Sequence, residues 1–248
     1  MILVAGLAVY VAAEGRAGLY SAADSADSLG DQFQVLEAAE GVNLLLGVQV
    51  VLAANPLACS TAPADVAAEV GALSGLQNEA NVTVASRAAV VDSAAAYDGD
   101  PALRPYNGTV PGDLDLALVF TGSGSSGPGV TLSRTETRYA HLGLRLDMAV
   151  QDCTGAVAAI EDALSGSSLP GCNSSAGGAA LQAATRGPAS TAAADGFRFG
   201  VSYSVTDPGS CQVSFQVTLE QPGIQGPGGP FSVLFEEGGS ASPLTPVA

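Results

Sequence analysis

Residues Met1–Pro56, MILVAGLAVYVAAEGRAGLYSAADSADSLGDQFQVLEAAEGVNLLLGVQVVLAANP, decide how the chain is organised. Met1–Ala13 carries no charge. Glu14 and Arg16 follow, and then Leu19, Ala22, Ala26, Leu29, Phe33 and Leu36 recur at spacings of three and four, which is the period of one helix face. Asp24, Asp27 and Asp31 fall off that stripe, so they are expected to face water or a polar neighbour. A second apolar run, Val42–Ala54, ends at Asn55-Pro56, where proline stops a helix. Thirteen helical residues reach about 20 Å against an apolar bilayer core of about 30 Å, so the tip alone does not span a membrane. Val11-Ala12-Ala13 matches the small-residue rule for signal cleavage, but no basic segment precedes it, and a retained helix is the expectation. The alternative is a buried helical hairpin broken at Gly15–Gly18 or at Gly41, since glycine weakens a continuous helix by about 1 kcal/mol.

Outward from this stem, composition bounds the rest. The 248 residues hold 24 acidic and 8 basic side chains, for a net charge of -16, and every basic residue is arginine. Such a surface repels a phosphate backbone, so nucleic acid is not an expected partner. It also holds water when salt screens charge, which points to a salt-loving host, while the all-arginine bases and abundant alanine and glycine suit a GC-rich genome; an acidic secreted protein is the alternative.

Beyond Pro56 the pattern is that of a mixed head. Pro63 starts a short helix with Val66, Val70 and Leu73 on one face. Residues 80–97 are ambiguous, and 98–112 read as a loop. Alternation then takes over: Leu114, Leu116, Leu118 and Phe120 form one strand, Leu142, Leu144, Leu146, Met148 and Val150 a second, with Val130–Leu132 pairing beside it. A helix over Thr154–Leu164 follows, and 165–192 read as a Gly/Ser/Ala-rich excursion. Phe197, Phe199, Val201, Tyr203 and Val205, the turn Asp207–Ser210, and the run Cys211, Val213, Phe215, Val217 and Leu219 predict an antiparallel hairpin. Phe231, Val233 and Phe235 add a last strand. The expected class is α+β: a helical stem over 1–55, a mainly antiparallel head over 56–240, and a loose tail over 241–248.

Cys59, Cys153, Cys172 and Cys211 lack metal-finger spacing, and four scattered cysteines fit two disulfides in an oxidising compartment. Three connectivities exist; the pairing expected here is Cys153 with Cys172 and Cys59 with Cys211. Unpaired buried thiols are the alternative. Asn81, Asn107 and Asn173 open Asn-x-Ser/Thr triplets and are candidate glycan acceptors.

No residue set assembles a catalytic site. Gly122-Ser-Gly-Ser-Ser-Gly127 has the spacing of a dinucleotide fingerprint, but Pro128-Gly129 leads into a strand pattern where a helix N-terminus is required, so a hairpin loop is predicted. His141, the single histidine, has no nucleophile elbow to serve. The pairs Asp98/Asp100, Asp113/Asp115, Asp147/Asp152, Glu161/Asp162 and Glu236/Glu237 read as solvated surface; Asp98-Gly-Asp100 alone suits a weak calcium contact but lacks the loop pattern for one. No enzyme activity, cofactor or resident metal is expected.

Met1–Ala54 together with the disulfide-linked antiparallel head resembles archaeal type IV pilin-like proteins. That family has a basic leader and often a glutamate near the fifth mature position, where this chain has Ala5. The resemblance implies self-assembly through the helix, with Met1, Ile2, Leu3, Val4, Leu7, Val9, Tyr10, Val11, Leu19, Phe33 and Leu36 as assembly residues. It also implies a membrane-resident tip before assembly, an extracellular filament afterwards, and an adhesion or motility role. An anchored β-domain that binds an envelope partner such as an S-layer, and a secreted hydrolase using an unrecognised carboxylate pair, are the competing expectations.

Overall fold

The computed structural model describes residues 2–60, 63–91, 113–127, 129–166, 174–207 and 212–242, with side chains for 24–60, 65–91, 114–127, 129–166, 178–204 and 212–242. Helix α1 runs unbroken over Ile2–Ala54, 53 residues, which is about 80 Å of helix. Gly15, Gly18 and Gly41 do not break it, and it stops at Asn55-Pro56. The head that follows is α+β. Strand β1 (Leu57–Ala58) leads to helix α2 (Pro63–Gly71) and to β2 (Ser74–Glu79), β3 (Val82–Val91), β4 (Asp113–Ser125) and β5 (Thr131–Arg145). Helices α3 (Leu146–Ser165) and α4 (Ser174–Ala194) come next, then β6 (Arg198–Asp207), β7 (Gln212–Gly226) and β8 (Gly229–Ala241).

The strands form two four-stranded sheets, ordered β2-β3-β4-β5 and β1-β8-β7-β6, antiparallel throughout except where β1 joins β8 in parallel. Helices α1 and α2 cover the inner face of the first sheet; α3 covers the second, and α4 packs on α3 and β6. One apolar cluster runs through both halves, from Leu29 and Phe33 on α1 through Phe120 and Leu144 to Ile160, Val217 and Phe235. The amide of Gln221 stitches the sheets together: its Nε2 donates to Gly143 O at 2.8 Å, and its Oε1 accepts from Arg145 N at 3.0 Å. A side-chain amide thereby takes the place of a strand partner at the end of β5.

Four expectations are corrected. The alternation over 142–150 is strand only as far as Arg145; Leu146, Met148 and Val150 belong to α3, which is 20 residues long and starts well before Thr154. Its buried set, Leu146, Ala149, Cys153, Ala156, Ile160 and Leu164, has helical spacing, and three of those six are small residues that a search for large apolar side chains passes over. Val130–Leu132 is no separate partner of that strand: Thr131 and Leu132 begin β5 itself, which pairs with β4 from Ser125↔Thr131 onward. The expected excursion over 165–192 contains the 21-residue helix α4, carried by alanine, the strongest helix former, despite Pro188 inside it. Lastly, Cys59 is bonded to Cys153, joining the foot of α1 to α3, so neither expected pairing holds. Cys172 and Cys211 lie outside the described residues.

Candidate functional site

Helix α1 is the element with a surface to spare. Its inner face presents Leu29, Phe33, Leu36, Glu37, Glu40, Leu44, Val48 and Leu52 to the head, all buried. Gly122 on β4 and Gly75 on β2 make the seat: a Cβ at Gly122 would overlap the Phe33 ring, and one at Gly75 would overlap Glu40 Oε1. The two buried carboxylates are held by neighbouring side chains. Arg138 Nε donates to Glu37 Oε1 at 2.6 Å, while Ser86 Oγ and Asn43 Nδ2 donate to the two oxygens of Glu40 at 2.8 and 3.3 Å. Gln49 closes the lower end, donating to Gly229 O at 3.3 Å and accepting from Gly228 N at 3.1 Å across the β7–β8 turn.

The opposite face is bare. Val35 is 62 % exposed, Val50 63 % and Val42 49 %, with Leu46 beside them. At 100° per residue, these four lie within one helical quadrant; Asp24 and Asp31 extend the same row toward the N-terminus and Asp27 stands at its flank, all three exposed. No charged residue occurs between Glu40 and Asp65, so Val42, Leu46 and Val50 stand in a charge-free stretch of a strongly acidic chain. The segment Asp24–Ala54 is long and apolar enough by composition to cross a membrane, but its inner face is committed to the head.

Phe33 and Leu36, expected as assembly residues, are buried in the core of the chain itself. Leu19 and the residues from Met1 to Val11 lie outside the described side chains. The outward residues Val35, Val42, Leu46 and Val50 do not stand out in the sequence. Their signal is a second row at spacings of four and seven on the far side of the buried one, hidden because Val42–Ala54 is apolar on almost every side.

Elsewhere, His141 Nδ1 lies 2.8 Å from Asp115 Oδ1, a pairing across adjacent strands at positions that face each other in the β4–β5 register. Two of the open clefts lie among the described residues. One of about 430 Å³ is lined by Ser202–Ser204, Ser214–Gln216 and Gly238, and one of about 260 Å³ by His141–Gly143 and Gln221–Gln225. Among the described residues no three metal-ligating side chains converge. Asp152 is the carboxylate whose environment stands out: burial, then the neighbouring Asp195, push its pKa up, against the pull of Arg145. The Gly122–Gly127 stretch is strand followed by a tight turn with Gly127 at φ +69°, not a strand-to-helix phosphate loop. Asn81 is exposed in the turn between β2 and β3. Asn107, Asn173, Asp98 and Asp100 lie outside the described residues.

No family model matches the chain, and neither a curated protein nor a solved structure matches it. The surface geometry carries the functional argument alone.

Proposed function

We propose that the chain is a structural surface subunit, pilin-like in layout, that polymerises through α1 into an extracellular filament. The observation that carries this reading is the bare apolar row Val35–Val42–Leu46–Val50 on a helix whose other face is locked to its head. Each of those side chains stands to gain on the order of 1 kcal/mol when its remaining surface leaves water. A monomer forgoes that gain, whereas an assembly realises it in every copy. The uncharged tip Met1–Ala13 extends the same logic, resting in membrane before assembly and among other tips afterwards.

The acidic head supports a place outside the cell in concentrated salt, where a Debye length of about 3 Å at 1 M lets copies with a charge of -16 approach. A membrane-anchored monomer whose head binds an envelope partner shares the tip but leaves the row at 35–50 in water.

The test is a Val42→Asp/Val50→Asp double variant. Both side chains point away from the head, so the variant folds with its melting temperature unchanged within a few degrees, yet sediments as a monomer under conditions where the parent chain pellets. Polymer equal to that of the parent chain would overturn the reading.

A further inference from the structure

The sheet β2-β3-β4-β5 has an inner face under α1 and α2 and an outer face whose composition departs from the rest of the chain. Three successive cross-strand rows span all four strands on that outer face, Asn78–Thr83–Ser123–Ser133, Leu76–Ala85–Thr121–Thr135 and Ser74–Arg87–Val119–Thr137, and two more, Ala89–Ala117–Tyr139 and Val91–Asp115–His141, continue it beyond β2. Leu76 is 62 % exposed, Ala85, Thr121, Thr135 and Thr137 are exposed, and Arg87 is the one charged residue in the three rows. Arg87 forms no ion pair with any described residue. An arginine without a carboxylate partner among the described residues is unexpected in a chain with 24 acids and 8 bases.

The outward row of α1 has the complementary order. Three carboxylates, Asp24 and Asp31 in the row and Asp27 at its flank, give way one turn later to Val35 and the apolar residues beyond it, and none of the three is ion-paired among the described residues. On the sheet Arg87 occupies the position diagonal to Leu76, a backbone separation of about 7–8 Å, and on the helix Asp31 and Val35 are about 6 Å apart. The two spacings agree within the reach of an arginine side chain.

We infer that the outer face of this sheet in one copy receives the outward row of α1 from a second copy, with Arg87 against Asp31 and Leu76 and Val119 against Val35. The contact rests on the assembly reading above and says which surface meets which. It is heterologous: sheet meets helix, because sheet against sheet would bring two Arg87 side chains together with no carboxylate between them. A heterologous contact that does not close into a ring propagates as a filament.

The experiment mixes two charge-reversed chains. Arg87→Asp alone sets two carboxylates against each other at the contact, and Asp31→Arg alone sets two guanidiniums against each other, so each raises the critical concentration for pelleting by at least about tenfold. Mixed one to one at the same salt, the two variants assemble at close to the parent concentration, because alternating copies place an opposite pair at every interface, Asp against Arg at one and Arg87 against Asp31 at the next, and relieve the repulsion that blocks each chain alone. Both sites are exposed, and equal melting temperatures confirm folding; Arg87→Gln and Asp31→Asn give the same ordering with smaller shifts. A reversed chain that assembles alone like the parent, or a mixture that stays dispersed while the parent polymerises, overturns this contact and leaves the assembly reading standing. A parent chain that stays dispersed overturns both.

Discussion

Arg138 on β5 donates through Nε to Glu37 Oε1 on α1 at 2.6 Å, and the carboxylate it holds is wholly buried while the guanidinium is half in water. The edge strand of the first sheet therefore grips the helix by a charge whose ion-pair partner, among the described residues, is Arg138. Arg138→Met should destabilise the head by about 1–3 kcal/mol, the upper end being tempered by the solvent around Arg138. Urea titration checks it, and adding Glu37→Met to the same chain should recover most of the loss, since a buried pair replaced by apolar residues is close to neutral.

Gly122→Ala should loosen the helix from the sheet. The new methyl overlaps the Phe33 ring, which is fully buried and has little room to yield. A cost of about 1–3 kcal/mol follows from overpacking a core contact. Phe33→Leu in the same chain should recover part of it, and an unchanged melting temperature for Gly122→Ala alone would contradict the packing described.

Cys59–Cys153 joins residues 94 apart in sequence, the foot of α1 and α3. Replacing both cysteines by serine should cost about 2–5 kcal/mol, read as a lower urea midpoint. Peptide mapping under non-reducing conditions should recover the Cys59 and Cys153 peptides as one species.

Asp152 makes stability depend on pH in a stated direction. Its pKa in the folded chain lies above the unfolded value, raised by burial and then by Asp195, so between the two values the native state holds more protons than the unfolded chain. Its contribution is favourable below the ordinary carboxylate pKa and is lost as pH rises through the raised one. Asp152→Asn should therefore be more stable than the parent at neutral pH and should flatten the stability profile across the mildly acidic range.

How much of this is legible from residues alone follows from how each element announces itself. Helix α1 is, because its three-and-four spacing and the Asn55-Pro56 stop are unambiguous, and the β6–β7 hairpin is, because its alternation is long and its turn residues specific. Helix α3 hides behind coincidence: Leu142, Leu144, Leu146, Met148 and Val150 satisfy a period of two across a boundary at Arg145, while the real helical row uses Ala149, Cys153 and Ala156. Helix α4 hides behind Gly177, Gly178, Gly187 and Pro188, residues that usually mark loops. Gly178 has a packing reason to be glycine, since a Cβ there would overlap the hydroxyl of Tyr203. The buried pair Glu37 and Glu40 gives no sign at all, because acids at i and i+3 on a helix read as solvent-facing until their partners Arg138 and Ser86 arrive from 101 and 46 residues away.

The most direct measurement is electron microscopy of the full chain, purified without detergent and held in high salt. Regular filaments with a constant axial repeat are the expected result, and their loss in the Val42→Asp/Val50→Asp chain would place the bare row of α1 inside them. Dispersed single particles at every concentration would contradict assembly through α1 and return the helix to the role of a simple anchor.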